Sequence, residues 1–113
     1  LHDAAVSAPD AADAEFASMP SIDGHLDLGA VLALLAERGI NEVHTEAGAT
    51  LAGALLRGGW ADELLLYQAP TLLGDSGRPL LAGLGIEAMD QQRRLRVVDQ
   101  RQVGDDLRVL LRA

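Results

Sequence analysis

Leu28, Val31, Leu32 and Leu35 stand three and four positions apart, the spacing that gathers side chains on one face of a helix. Asp27 just before them is a natural N-cap, and Gly39 just after Arg38 is a natural stop in the left-handed conformation. The pattern predicts a helix from Asp27 to about Arg38. A strand of four or five residues follows, from about Glu42 to Thr45. Small residues then replace large ones: a glycine turn leads into a second helix, about Thr50 to Arg57, closed by Gly58-Gly59. Leu64-Leu-Leu-Tyr-Gln-Ala69 is a nearly continuous apolar run between Asp62-Glu63 and Pro70, which predicts a strand buried on both faces. Residues 71 to 84 read as loop, punctuated by Gly74, Gly77 and Pro79, with one helical turn from Pro79 to Ala82. Near the end, Leu95, Val97 and Asp99 alternate with Arg94, Arg96 and Val98. Leu107, Val109 and Leu111 alternate with Arg108, Leu110 and Arg112. Gly104-Asp105 between the two runs predicts a hairpin whose arginines face solvent.

Helix, strand, helix, strand in succession predicts an α/β layer with parallel neighbours. The terminal hairpin makes the sheet mixed, parallel in the centre and antiparallel at one end. Residues 1 to 24 differ from the rest. Ala, Asp, Ser and Pro dominate there, which predicts an irregular lead-in with a helical turn around Ala11 to Ala17 and a turn at Ser21-Ile-Asp-Gly24.

Composition narrows the function. The 113 residues suffice for one domain, and 49% are hydrophobic, which permits a packed core. No apolar run reaches the roughly 18 residues that span a bilayer. The N-terminus carries no signal-type pattern, and a reducing cytoplasm fits a chain with no cysteine. The net charge of −8 argues against a nucleic-acid groove but not against a nucleotide, which a few backbone amides can hold. Without cysteine there is no disulfide, no thiolate nucleophile and no cysteine zinc site. His2, His25 and His44 lack metal-ligand spacing. The chain opens at Leu1 rather than at methionine, which fits a fragment or a processed chain.

The candidate chemistry lies in Glu42-Val-His-Thr-Glu-Ala-Gly-Ala-Thr-Leu-Ala-Gly-Ala-Leu-Leu56. A strand, a tight turn and a small-residue helix leave helix N-terminal amides uncrowded, which suits a phosphate group. Glu46 at the strand end offers a polar handle for a second molecule. Each feature also has a plainer reading. Glu46 could offset the helix dipole. Ala49, Ala52, Gly53 and Ala54 could serve close helix packing. No Lys-Ser or Lys-Thr follows the turn, so this is not a Walker sequence. Asp62 and Glu63 read as exposed or turn-forming, and the arginines from Arg93 to Arg101 as a solvated strand face that guards an edge.

Residues 39 to 56, together with Asp62-Glu-Leu-Leu-Leu-Tyr-Gln-Ala-Pro70, Leu72-Leu-Gly74 and the strands around Gly104-Asp105-Asp106-Leu107, resemble the reductase domain of bacterial riboflavin biosynthesis protein RibD. The resemblance covers about residues 26 to 113 and implies a division into a lead-in, 1 to 24, and the C-terminal portion of such a domain, 25 to 113. It implies a dihydrofolate-reductase-like mixed sheet flanked by helices. It implies NADPH-dependent reduction of 5-amino-6-(5-phosphoribosylamino)uracil to the ribitylamino product, in a homodimer. Carried over by position, it implies that Gly48, Ala49, Thr50, Leu51, Ala52, Gly53 and Ala54 bind NADPH and that Glu46 binds substrate; it points to no catalytic residue. Two departures stand out. Many members carry two glycines in the turn where this chain has Ala47-Gly48, which requires a negative φ at Ala47. The opening part of the family's domain, with its first strand, is not recognisable in residues 1 to 24. Deamination is excluded, because the zinc deaminase motif requires cysteine. Two other readings remain: a dihydrofolate-reductase-like enzyme acting on another pterin or pyrimidine, and a non-catalytic oligomerising remnant of the fold.

Overall fold

The computed structural model of the chain describes residues 1–4 and 13–113. The chain divides into two compact units, Leu1–His44 and Thr45–Ala113.

In the first unit, β1 (His2–Asp3) lies parallel to β2 (Ser18–Met19), and β3 (Ser21–Ile22) pairs antiparallel with β4 (His25–Leu26). The lead-in is therefore less irregular than expected. Its turn at Asp23-Gly24 has two successive positive φ values, 52° and 79°, the hairpin geometry that matches strand twist. The expected helical turn around Ala11 to Ala17 lies partly outside the described residues, and residues 13–17 are not helical. Helix α1 spans Leu28–Glu37, with the Asp27 carboxylate accepting from the Ala30 N–H at 3.2 Å. Gly39 takes φ 80°. Its N–H and that of Ile40 donate to the carbonyls of Ala36 and Leu35, closing the helix as expected. Val31, on the anticipated apolar face, is buried.

The second unit carries α2 (Ala49–Arg57) and a three-stranded sheet in the order β5 (Glu63–Gln68), β7 (Asp106–Arg112), β6 (Arg96–Val103). Both ladders are antiparallel. The terminal hairpin is as expected, but no parallel centre is found among the described residues. Residues 40–48 hold no assigned strand, so the strand expected from Glu42 to Thr45 is absent. A strand exists only through a ladder, and a short run of residues supplies no partner of its own.

β5 is not buried on both faces. Its residues alternate, with Leu64 and Leu66 half-buried and Leu65 and Tyr67 exposed. The register explains this. Leu64 and Leu66 sit opposite Leu111 and Val109, whereas Glu63 and Tyr67 sit opposite Arg112 and Arg108. One sheet face thus carries the apolar pairs of Leu64 and Leu66, and the other carries arginine-containing pairs on either side of Leu65 and Leu110.

A bulge between Val97 and Asp99 completes the charged face. Simple alternation puts Val97 and Asp99 on the same side. The extra residue, Val98, turns Asp99 over to join Arg101 and Arg108, which bond its Oδ2 at 2.7 and 3.1 Å. Arg112 pairs with Glu63 at 2.6 Å. The helical turn expected from Pro79 to Ala82 does not form either, because the Ala82 N–H donates to Ala49 of α2 at 3.1 Å instead.

Candidate functional site

Every residue that the sequence pointed to, Glu46 and Gly48 through Ala54, belongs to the second unit. Gly48 is the N-cap of α2, with extended φ −70° and ψ 177°, and being glycine it brings no side-chain cap of its own. The first intrahelical bond runs from the Ala52 N–H to the Gly48 carbonyl at 3.1 Å. Helix geometry therefore leaves the N–H groups of Ala49, Thr50 and Leu51 without a partner one turn back. The first turn contains no acidic residue, so no carboxylate there offsets the positive end of the helix dipole.

The approach to these amides is open. A Cβ built on Gly48 would meet nothing within 4 Å. Among the described residues only Asp23 has a positive φ without being glycine, so Ala47 stands in ordinary backbone geometry. The replacement of a first glycine by alanine in this turn is thus accommodated without strain. Glu46 is exposed, two residues before the cap.

Gly53 is different. It is buried, and a Cβ there would overlap the Ala82 carbonyl oxygen and stand 2.9 Å from the carbonyl carbon. Its smallness serves close packing against Ala82, the plainer of the two readings given above. The seven residues Gly48 to Ala54 therefore split into an open N-terminal half and a packed half.

Sequence reasoning missed the partners of that packed half. The Arg57 guanidinium donates to the Gly83 carbonyl, and Arg93 donates to the Arg57 carbonyl at 3.1 Å. The only hint was Gly83, at positive φ near the end of the stretch 71 to 84 that reads as loop.

A groove of about 570 Å³ lies at the end of β5, lined by Leu66, Tyr67, Gln68, Leu73 and Leu80 among others. It contains none of the expected site residues. Its wall is mostly apolar and it is wide open, so the helix mouth is the better anion site on chemical grounds. Among the described residues no three His, Asp or Glu side chains converge as metal ligands would.

Comparison with known proteins gives a consistent picture. The family model described as RibD C-terminal domain matches residues 4–109, a span that includes most of the lead-in. Riboflavin biosynthesis protein RibD of Escherichia coli is 42% identical over 89 residues, 79% of this chain and 24% of that protein. The 5-amino-6-(5-phosphoribosylamino)uracil reductase of Buchnera aphidicola is 33% identical over 86 residues, 76% of this chain and 42% of that protein. The solved structure of Acinetobacter baumannii RibD, form 2, superposes with a TM-score of 0.70 at 38% identity, covering 78% of this chain and 25% of that one. The chain thus spans about a quarter of the length of the RibD proteins it matches. With the family model covering nearly its whole length and the same fold recurring in a solved relative, this chain belongs to the RibD C-terminal domain family.

Proposed function

We propose that this chain is the C-terminal portion of a riboflavin-pathway reductase that uses NADPH to reduce 5-amino-6-(5-phosphoribosylamino)uracil to its ribitylamino product. The observation that carries the reading is the mouth of α2, where three amides lack a partner one turn back, with open space at Gly48 and no acid in the first turn. Its chemistry fits a pyrophosphate. When bound, NADPH supplies the hydride.

The chain's own residues bind and orient. The N–H groups of Ala49, Thr50 and Leu51 donate to phosphate oxygens, and Gly48 leaves room for them. Ala52, Gly53 and Ala54 contribute through their size, because small side chains let the helix lie close to its neighbours. Glu46 accepts hydrogen bonds from the substrate. The two relatives cited, a RibD protein and a uracil reductase by name, support this assignment.

The same reading extends to the assembly. The open edge of β5 takes a parallel neighbour in the complete domain, which restores a parallel centre. Tyr67, 54% exposed, and Leu65 beside it offer apolar surface to a second copy, giving a homodimer. Among the described residues no helix is long and apolar enough to cross a membrane, and we place the enzyme in the cytoplasm.

NADPH titration with a matched assay of uracil-substrate turnover tests the function. Saturable NADPH binding that Gly48→Val weakens, with turnover of the uracil substrate, is expected. Binding without turnover points to another pterin or pyrimidine. No saturable binding points to the non-catalytic remnant. Light scattering that gives a monomer at assay concentration removes the dimer.

A further inference from the structure

Ala49, Gly53 and Arg57 stand four apart and so form one stripe along α2. Each of the three meets one of two successive residues, Ala82 or Gly83. The Ala82 N–H donates to the Ala49 carbonyl at 3.1 Å. The Ala82 backbone fills the notch left by Gly53. The Gly83 carbonyl accepts from Arg57. Gly83 takes φ 68°, a conformation that turns the chain at that point and that side chains rarely adopt.

We propose that Ala82-Gly83 is a strap that aims α2, and that Gly53 and Arg57 are positioning residues for the dinucleotide. This rests on the phosphate reading above. A helix of nine residues is too short to hold its direction alone, so its side contacts set where its end points. The strap grips the helix at Ala49, the residue whose N–H opens the mouth, and again two turns on at Arg57. Arg93 holds the Arg57 carbonyl at the far end. A tilt about the Gly53 notch displaces the amides from the phosphate oxygens, and binding geometry tolerates only about 0.5 Å of such displacement.

Arg57 gives the cleaner test, because its side chain is exposed and its removal leaves the packing of Gly53 intact. It stands about 12 Å from the helix mouth, so moderate salt screens its bare charge. Calorimetric titration with NADPH in such salt compares Gly53→Ala, Arg57→Ala, Arg57→Lys and Gly48→Val with the parent protein. The strap predicts that Gly53→Ala and Arg57→Ala weaken NADPH binding about tenfold, the scale expected of a misplaced binding group. Arg57→Lys keeps a donor and restores most of the affinity. KM for the uracil substrate stays unchanged in the Arg57 variants, a split that general loss of structure does not produce. If Arg57→Ala binds NADPH like the parent while Gly48→Val does not, the strap is overturned and the phosphate reading stands. If Gly48→Val also binds like the parent, the phosphate reading fails and the strap with it. Should Gly53→Ala fail to fold, the two Arg57 variants decide.

Discussion

Gly53 of α2 lies flat against the backbone of Ala82, with no room for even one methyl group between them. Gly53→Ala therefore forces either the helix or the 82–83 segment to move. The expected loss is about 1–3 kcal/mol, the usual cost of overpacking. Gly48→Ala is the internal control. Gly48 has ordinary extended geometry and open space, so this change costs only what alanine loses against glycine at an N-cap, about 0.5–1 kcal/mol, and shifts the denaturation midpoint less than Gly53→Ala. Urea unfolding of both variants measures the contrast. Equal midpoints would remove the packing account of Gly53.

Asp99 gives a prediction in pH. The hydrogen bond from Arg101 foremost, with the charges of Arg101 and Arg108, holds its carboxyl below the ordinary value of 3.8, against a smaller push upward from burial. A lowered folded-state value means that the ionised group stabilises the fold above its unfolded pKa. That contribution is lost as pH falls through the lowered value. Asp99→Asn should therefore unfold more readily than the parent near neutral pH, and the two should converge in acid below the ordinary carboxylate range. Thermal melts across that window check it. A constant gap at every pH contradicts the assignment.

Asp27 caps α1 through its bond to the Ala30 N–H. Asp27→Ala removes the acceptor and leaves that amide to water. The cost expected for such a cap is about 1 kcal/mol, and Asp27→Ser recovers most of it. Circular dichroism melts of the two variants provide the comparison.

A variant at Glu46 separates the proposed substrate role from a cofactor role. Glu46→Gln keeps the size and removes the charge at an exposed position just ahead of α2. The expected result is a higher KM for the uracil substrate with NADPH affinity unchanged. Steady-state kinetics with each partner varied in turn would show it. A change confined to NADPH would place Glu46 at the cofactor instead.

Local features of this fold were legible in the chain. Asp27, Gly39, Gly58-Gly59 and Gly104-Asp105 mark element ends through their own backbone chemistry, and each end falls where those residues put it. Features that depend on a partner were not. The segment Glu42 to Thr45 needed a ladder to become a strand. Leu64 to Leu66 read as doubly buried, because the arginines that line one face come from strands forty residues later. The bulge at Val98 breaks a regular alternation and left no mark in residue type. At the site, the open helix mouth was readable from Gly48 and the small residues after it. The strap was not, since Ala82 binds through its backbone, which any residue would carry.

The central claim is that the amides of Ala49, Thr50 and Leu51 receive a dinucleotide phosphate. Backbone amide shifts recorded by NMR during an NADPH titration test it most directly. The account predicts that these three resonances move together and saturate with the binding curve, while amides in the β6–β7 hairpin stay still. NADPH binding that leaves all three unmoved would contradict it.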